Sequence, residues 1–494
     1  MEQESSNEKI MKIVHATVEY APFLKAGGLG DAVYSLSKQL SLSHDVEVVI
    51  PLYPIIFSPP RSTILEERSF TYEFLGTQRA KSKSYAYNGI KLTVIELLTQ
   101  SELFNTHAIY SENDAHRFIA FSCAVANYIQ GSEKIDIVHV HDWHMGLVPG
   151  ILKNKSYQHN LKTVFTIHNF SYRGYCSTQL LSASSMDSRE LQTYSLSRNN
   201  QTSVLMKGAI LCAHYITTVS PTYAKEMLYD LSDYEIHEAL VSRSLNFSGI
   251  LNGIDETIWD PSTDTCLAAN YDISILDNPS ILSSMKEKNK QSLYQKLGIR
   301  TSTKPLLCMI SRIVAQKGPE FMKEAILHAM KNDYGLILIG TCQEPELRKQ
   351  FLELQKSLTD SPNIRIILDY NDALSRLTYG AADMICIPSH FEPCGLTQMI
   401  AMRYGTIPLV RKTGGLADTV IDYQQGFTFS DITNPNEFHD MLDRAMNTYW
   451  HHPEIWHQLI TQGMLRQSGL EKMAQDYVNI YNSLSSSSDW GRLL

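Results

Sequence analysis

The stretch Ile-Pro-Ser-His-Phe-Glu-Pro-Cys-Gly-Leu-Thr-Gln, residues 387–398, joins an apolar run to a run with helical spacing. Residues 382–387 are typical of a buried parallel strand, and residues 396–404 are predicted to form a helix that Gly405 ends. Glu392 therefore lies in a loop at the carboxyl end of a predicted strand, where open α/β sheets bind ligands. A solvated turn rich in proline and glycine is the alternative that this loop alone leaves open.

The second half of the chain alternates strand and helix patterns ahead of this loop. The predicted strands are residues 305–313, 334–340 and 363–368, and the predicted helices are residues 319–330, 344–358 and 373–380. Such alternation is typical of a doubly wound α/β domain with a parallel sheet. The backbone amides of Cys394, Gly395 and Leu396 open the helix that follows Glu392, and they are expected to face hydroxyl or phosphate oxygens.

Two cations follow the first strand of this half. Arg312 stands at the strand end, and Lys317 precedes the next predicted helix. Arg can bind a pyrophosphate through two hydrogen bonds and Lys as a point charge, and a helix amino terminus adds a favourable dipole. We predict a diphosphate site here. The alternative is a solvated basic loop.

The first half opens with a strand, a glycine-rich turn and a helix. Residues 11–18 are a predicted strand, residues 29–40 a predicted helix, and Lys-Ala-Gly-Gly-Leu-Gly-Asp at residues 25–31 joins them. Glycines there allow backbone N–H groups to approach a phosphate, and Lys25 adds a mobile charge. The pattern returns at residues 412–420 as Lys-Thr-Gly-Gly-Leu-Ala-Asp-Thr-Val. Either both loops adopt the same common glycine-rich turn, or both face a ligand.

Three histidines and an aspartate lie within His-Val-His-Asp-Trp-His, residues 139–144, at the end of another predicted strand. This composition raises the question of a metal site. His139 and His141 alternate on one strand face, however, and no cluster with zinc-ligand spacing follows. We predict no metal site and instead a polar wall at the strand end. His168, directly after the predicted strand 162–167, is expected at the same sheet edge.

Composition and length limit the classes of protein. With 494 residues, the chain is long enough for two to four domains. Its hydrophobic content of 43% and charged content of 19% are ordinary for a globular protein, and its formal net charge of −9 disfavours nucleic acid as a partner. Residues 182–200 are polar and rich in serine, so a flexible excursion is predicted there.

The compartment is predicted from cysteine usage and from the absence of apolar targeting patterns. Eight cysteines occur without a Cys-x-x-Cys pair, which favours reduced thiols. Residues 1–9 lack a basic-then-apolar signal pattern, and no apolar run is long enough to span a membrane. We expect a cytoplasmic protein. A secretion route without an apolar signal stays open.

Taken together and in this order, the motifs resemble those of bacterial glycogen synthases and the related starch synthases. These enzymes are retaining glycosyltransferases of the GT-B class. The motifs are Lys-Ala-Gly-Gly-Leu-Gly-Asp, His-Asp-Trp-His, Thr-Ile-His-Asn, Ile-Leu-Asn-Gly-Ile-Asp, Ser-Arg followed by Gln-Lys-Gly, and Phe-Glu-Pro-Cys-Gly-Leu-Thr-Gln. The resemblance covers nearly the whole chain. Residues 233–239 depart from it, because a glycine-containing stretch is typical of the family there.

The resemblance implies two Rossmann-like doubly wound domains facing a deep interdomain cleft. The amino-terminal, acceptor-side domain is expected at residues 1–250 and the nucleotide-sugar domain at residues 263–463. Turn signals Asn-Gly and Asp-Pro favour an interdomain hinge at residues 251–262. Residues 464–494 are expected to form a terminal helix that returns to the first domain, followed by a tail.

By the same resemblance, the enzyme transfers glucose from a nucleotide-glucose, with ADP-glucose favoured, to the non-reducing end of an α-1,4-glucan. The catalytic residues implied are Glu392, Arg312, Lys317, His168 and Asp142. The substrate-binding residues implied are Lys25, Gly27, Gly28, Asp31, Asn252, Tyr370, Cys394, Gly395, Leu396 and Thr397. Arg312 and Lys317 would hold the leaving diphosphate, and Tyr370 would stack on the base. No cofactor, metal or membrane is implied.

Two alternatives stay open at this stage. A synthase that uses UDP-glucose, alone or beside ADP-glucose, is the first alternative, because no residue pattern reads the adenine edge. A non-catalytic glucan-binding protein could also keep this fold, since fold alone does not prove activity. The presence of Arg312, Lys317 and Glu392 argues for the enzyme.

Overall fold

The computed structural model describes residues 9–111, 114–153, 161–300, 303–467 and 469–486. These residues divide into two compact units. Unit 1 runs to Gly253 and resumes at Leu470, and unit 2 spans Ile254–Gly469. None of the described helices combines the length and the apolar character that a membrane crossing requires.

Unit 1 is built on a nine-stranded sheet. The strands of unit 1 are β1 (Lys12–Ala16), β2 (Asp45–Pro51), β3 (Ile64–Glu73), β4 (Thr77–Tyr87), β5 (Ile90–Leu97), β6 (Ile137–His141), β7 (Lys162–Ile167), β8 (Tyr175–Ser177), β9 (Thr202–Val204), β10 (Tyr215–Thr218) and β11 (Phe247–Gly249). β8 and β9 form a separate two-stranded ribbon, and the other nine strands form the sheet. The sheet order is β11-β10-β7-β6-β1-β2-β5-β4-β3. The strands from β11 to β5 pair in parallel, and β5, β4 and β3 form antiparallel hairpins.

The helices of the first part of unit 1 are α1 (Gly28–Leu40), α2 (Asp114–Gln130), α3 (Val148–Lys153), α4 (Thr178–Leu181), α5 (Ser188–Tyr194), α6 (Leu205–Cys212), α7 (Pro221–Met227) and α8 (Tyr234–Ser242).

The prediction of a flexible excursion at residues 182–200 is wrong. Asp187 caps α5 in a reciprocal capping box with Glu190, and Tyr194 at its end is fully buried. The serine-rich composition masked this capping signal.

Unit 2 is built on a six-stranded sheet that is parallel throughout. Its strands are β12 (Leu306–Ile310), β13 (Gly335–Ile339), β14 (Ile364–Ile367), β15 (Met384–Ile387), β16 (Ile407–Arg411) and β17 (Phe427–Phe429). Its helices are α9 (Pro279–Leu297), α10 (Pro319–Asn332), α11 (Pro345–Ser357), α12 (Asp372–Ala381), α13 (Thr397–Arg403), α14 (Gly414–Thr419), α15 (Pro435–His451) and α16 (Pro453–Leu465). The sheet order is β14-β13-β12-β15-β16-β17. β12, β13 and β15 are buried along their whole length, as the apolar runs predict.

The last helix of the chain, α17 (Leu470–Ser486), belongs to unit 1. It begins later than the predicted boundary at 464, because α16 continues to Leu465 and packs within unit 2 against α13. Met473, Tyr477 and Tyr481 recur every four residues and are buried in the core of unit 1. This spacing gives α17 one apolar face, and that face covers part of the nine-stranded sheet.

Candidate active site

In both units, two predicted site residues follow the strands that flank a reversal of strand order: Lys25 and Asp142 in unit 1, and Arg312 and Glu392 in unit 2. The chain of unit 1 runs outward from β1 to β2 and later returns to β6 on the other side of β1. Unit 2 does the same with β12, β13 and β15. The loops after two such strands diverge and leave a crevice at the carboxyl edge of the sheet, which is where doubly wound sheets bind ligands.

The glycine-rich loop after β1 is held by a buried carboxylate that the sequence analysis missed. Glu19 Oε2 accepts hydrogen bonds from the backbone amides of Ala26 and Gly27, each 2.8 Å long. Glu19 Oε1 accepts a hydrogen bond from the hydroxyl of Tyr110. Burial and the Glu19 charge raise the pKa of Tyr110, so this hydroxyl remains a donor. No sequence pattern signals this role, because it depends on a turn that brings the amides back to the strand end.

The same loop keeps open space above its glycines. A Cβ atom added at Gly27 or Gly28 would have no other atom of the described residues within 4 Å. Lys25 and Asp31 lie on either side and form an ion pair of 2.9 Å between Nζ and Oδ2. The loop therefore offers accessible backbone and one mobile cation to a ligand.

Asp142 lies directly after β6 in a strained and buried position. Its φ of 57° is in the left-handed region, and its side chain is almost fully buried. Asp142 Oδ1 accepts hydrogen bonds from the backbone amides of His168 (2.7 Å) and Asn169 (3.3 Å). Burial outweighs these bonds and raises the pKa of Asp142 to about 7. Non-glycine residues in such a backbone conformation cluster at functional sites.

His168 lies after β7 and is partly buried beside Asp142. Its Nε2 lies 3.1 Å from Nδ1 of His141, the last residue of β6. Burial lowers the pKa of His168 to about 3, so its imidazole is neutral. Asn252, the remaining predicted residue of unit 1, is buried shortly after β11. Asp142, His168 and Asn252 thus follow the strands β6, β7 and β11 respectively, along one edge of the sheet.

The predicted centre of unit 2 is a buried carboxylate paired with a cation. Glu392, after β15, is 6% exposed. Its Oε2 accepts hydrogen bonds from Lys317 Nζ and from Ser389 Oγ, the latter at 2.9 Å. The structure therefore brings together two of the predicted residues, and it adds Ser389, which the sequence analysis did not select. Ser389 fixes the rotamer of Glu392 from within the same loop.

The loops after β12 and β15 are tied together by backbone contacts. The amide of His390 donates to the carbonyl of Gln316 at 2.8 Å, and Gln316 Nε2 donates to the carbonyl of Phe391 at 3.1 Å. Gly318 has a φ of +66°, and a Cβ atom there would lie 2.4 Å from the carbonyl oxygen of Pro388. Only glycine allows this close approach. The approach places Lys317 beside Glu392.

The second glycine-rich loop, residues 412–420, supports the Glu392 loop from behind. The amide of Gly415 donates to the carbonyl of Glu392 at 3.0 Å. A Cβ atom at Gly414 would lie 1.9 Å from that same carbonyl oxygen, and one at Gly415 would lie 2.2 Å from the carbonyl oxygen of Cys394. The glycines of the repeated pattern therefore act differently in the two units. In unit 1 they leave open space above the loop, and in unit 2 they allow close packing of two backbone segments.

The other predicted residues of unit 2 lie around this pair. Arg312 follows β12 and is exposed, and Tyr370 precedes α12 with 58% of its surface exposed. The Tyr370 hydroxyl donates to Asp372 at 3.0 Å, which directs the ring. Cys394 is buried, and Gly395 takes a φ of +73° in the turn before α13. Leu396 is the N-cap of α13, and Thr397 is its first residue.

A cluster of histidines lies beneath the unit 1 site. His15, His139 and His141 each present a ring nitrogen within 4.8 Å of the other two, a grouping that could in principle hold a metal ion. Both nitrogens of His139 already have hydrogen-bond partners, Tyr481 at 2.7 Å and Thr166 at 2.6 Å. The cluster contains no carboxylate to offset a divalent charge. The donor set therefore fits hydrogen bonding better than metal binding.

Each unit carries a doubly wound sheet, and the contact of Lys317 with Glu392 lies at the carboxyl edge of the second sheet. The comparisons with known proteins identify the fold as that of a glycosyltransferase of the GT-B class. A family model described as starch synthase catalytic domain matches residues 12–242, and one described as glycosyl transferases group 1 matches residues 290–462. A glycogen synthase of Chlamydia felis is 61% identical over 474 residues, which cover 96% of this chain and 100% of that protein. The glycogen synthase of Chlamydia pneumoniae is 59% identical over 476 residues with the same coverage. The chain belongs to the glycogen synthase family.

Solved structures agree with this assignment. The catalytic domain of starch synthase IV from Arabidopsis thaliana, bound to ADP and acarbose, is 33% identical with a TM-score of 0.88. The match covers 97% of this chain and 100% of that one. Sucrose-phosphate synthase from Thermosynechococcus elongatus is 17% identical, with a TM-score of 0.61 and coverage of 96% and 99%, and it shares the fold.

Proposed function

We propose that this enzyme transfers glucose from ADP-glucose to the non-reducing end of an α-1,4-glucan, with retention of configuration and release of ADP. The observation that carries the proposal is the contact between Lys317 and Glu392 at the strand-order reversal of unit 2. A cation for the diphosphate and an acid for the sugar lie side by side there. The leaving phosphate and the anomeric carbon of a nucleotide sugar are also adjacent.

On the donor side, Arg312 and Lys317 bind the diphosphate and stabilise its growing negative charge as the glycosidic bond breaks. Fixed cations of this kind are each worth roughly two to three orders of magnitude in rate. Tyr370 stacks on the base with its exposed face. Cys394, Gly395, Leu396 and Thr397 border the sugar next to Glu392.

On the unit 1 side, the loop of Lys25, Gly27, Gly28 and Asp31 closes on the diphosphate. The open space above Gly27 and Gly28 supports this role. His168 and Asn252 contact the donor sugar, and Asp142 lies on the acceptor side of the reacting carbon. The proposed reaction needs no cofactor.

The test is a donor assay with purified protein, glycogen and either ADP-glucose or UDP-glucose. We expect transfer from ADP-glucose and some transfer from UDP-glucose as well, because stacking on Tyr370 tolerates either base. A preference for UDP-glucose would overturn the donor assignment and favour the alternative synthase. Glycogen binding without transfer from either donor would identify a non-catalytic glucan-binding protein. Digestion of the product by an enzyme specific for α-1,4 linkages tests retention.

A further inference from the structure

Three imidazole rings form a hydrogen-bonded line that runs from the core of unit 1 to its candidate active site. His15 Nδ1 lies 3.0 Å from His141 Nε2, and His141 Nδ1 lies 3.1 Å from His168 Nε2. His15 and His141 are buried, on the neighbouring strands β1 and β6. His168 is partly exposed at the outer end of the line.

All three rings are neutral over the working pH range. Burial lowers the pKa of His15 and of His168 to about 3, and it lowers the pKa of His141 well below its usual value. Each ring therefore carries one N–H proton and one unprotonated nitrogen. Because His141 uses both nitrogens in the line, only two arrangements of protons are consistent with two hydrogen bonds.

In the first arrangement, His15 donates from Nδ1 to His141, and His141 donates from Nδ1 to His168. The second arrangement reverses both bonds and places the proton of His15 on Nε2. His15 Nε2 is buried and has no hydrogen-bond partner among the residues that the structure describes. Buried N–H groups without an acceptor are rarer in proteins than buried acceptors without a full set of donors. The first arrangement is therefore the stable one.

We propose that His15 and His141 are positioning residues that fix His168 in the tautomer with its proton on Nδ1. Because His141 donates to Nε2 of His168, the proton of His168 must lie on the other nitrogen. That nitrogen makes no hydrogen bond to the described part of the protein. His168 then offers a fixed N–H donor to an oxygen of the donor substrate, and it does not act as a general base. The inference rests on the proposed contact of His168 with the substrate.

The direct test is nuclear magnetic resonance of the ring nitrogens in protein labelled with ¹⁵N-histidine. Two-bond couplings from the ring protons distinguish the two neutral tautomers, and the His168→Gln variant assigns the signals. We expect His168 in the Nδ1–H form in the native protein and a loss of that preference in His141→Phe. An Nε2–H signal for His168 in the native protein would overturn the proposal. So would one equivalent of bound zinc in the purified protein, since a metal would use the lone pairs that the line requires.

Kinetics supply the second test, with a matched control. His141→Phe keeps an aromatic ring at this position but removes both hydrogen bonds, so we expect turnover to fall about tenfold. His139→Phe removes a neighbouring buried imidazole that is not part of the line, and it should cost less than about threefold. His141→Asn can still donate from a similar position and should recover most of the loss. Equal losses in both Phe variants, without recovery in the Asn variant, would overturn the proposal.

The two tests separate this inference from the function on which it rests. If His168→Ala has normal turnover, then His168 does not contact the substrate and its proposed role is wrong. The tautomer of His168 would still be measured by resonance in the native protein. Thermal unfolding of each variant shows whether a loss of turnover comes from misfolding.

Discussion

Lys317 and Glu392 form an ion pair within unit 2, although 75 positions separate them in the sequence. In the proposed function they have separate partners, the diphosphate for Lys317 and the sugar for Glu392. Their contact means that each modifies the charge of the other. A change at Glu392 therefore alters the electrostatic environment of the proposed diphosphate site, and the two roles have to be tested together.

Replacing Glu392 with glutamine keeps the shape of the side chain and removes its charge. We expect turnover to fall by about two to three orders of magnitude, as when one preorganised charge-stabilising group is lost. ADP should bind at least as tightly as to the native enzyme, because Lys317 no longer shares its charge with a carboxylate. Initial rates and calorimetric ADP binding on the same preparation measure both effects. Near-normal turnover, or clearly weaker ADP binding, would contradict this account. Lys317→Met serves as the comparison, since it should weaken ADP binding.

The two glycine-rich loops predict opposite effects of the same substitution. Gly415→Ala places a Cβ atom against the backbone of Cys394, so it should reduce the free energy of unfolding by about 1–3 kcal/mol or more. Gly28→Ala meets no atom within 4 Å at the start of α1, so stability should be unchanged or rise by up to about 1 kcal/mol. The Gly28 variant should instead lose kcat/KM for the donor. Urea unfolding and donor kinetics on both variants give four measurements, and a stable Gly415 variant would refute the packing argument.

The raised pKa of Asp142 predicts a pH-dependent stability. Its pKa of about 7 in the folded protein lies above its ordinary value of 3.8, so the folded state binds more protons between these values. The free energy of unfolding therefore falls as the pH rises from about 4 to about 7. Above pH 7 the folded protein carries the full free-energy cost of a buried, ionised Asp142. Asp142→Asn removes this cost but keeps an oxygen for the amide of His168. The free energy of unfolding of Asp142→Asn, relative to that of the native protein, should therefore increase by on the order of 2–3 kcal/mol between pH 5 and pH 8.

Urea titrations of both proteins at the two pH values isolate the contribution of Asp142, because the other titrating groups are common to both. A constant difference in stability would show that Asp142 is not desolvated as described. Activity provides the complementary measurement. If Asp142 acts as a carboxylate, the native kcat/KM should rise as the pH passes through 7, and the Asn variant should lack that rise.

Tyr370 offers a test of base stacking. Tyr370→Ala removes the ring and should raise the KM for the nucleotide sugar about tenfold or more, since stacking on an aromatic ring contributes roughly 1–3 kcal/mol. Tyr370→Phe keeps the ring and loses only the hydrogen bond to Asp372, so its KM should stay within about threefold of the native value. Because the ring is largely exposed, neither change should affect thermal unfolding. Equal KM values in the two variants would rule out stacking.

The parallel sheets could be predicted from the sequence because their strands are buried on both faces. The bounds of β7 and β13 were predicted to within one residue, whereas β12 ends at Ile310, three residues before its predicted end. The hairpins of β3 and β4 were missed, since β3 is exposed over most of its length and carries no apolar run. Helix α9 was also missed. Most of its surface is polar, and its buried face includes Lys286, Asn289 and Lys290.

The sequence motifs identified the loops of the candidate site but not the side chains that hold those loops in place. The positions of Asp142, His168 and Glu392 at strand ends follow from the order of strands and loops. Glu19 and Ser389 could not be found in this way, because each acts through a hydrogen bond whose geometry depends on the folded turn. The alternation of His139 and His141 on one strand face was visible in the sequence. Their partners, His15 and Tyr481, lie far away along the chain.

The return of α17 to unit 1 has a consequence for the order of synthesis. Unit 1 is interrupted by the whole of unit 2, so its last helix leaves the ribosome only after unit 2 is complete. Until then, His139 lacks the hydroxyl of Tyr481, and the sheet surface beneath Tyr477 is uncovered. The amino-terminal unit therefore begins to form first and finishes last. A chain that ends before Leu470 would contain every proposed catalytic residue and still lack part of the core that supports them.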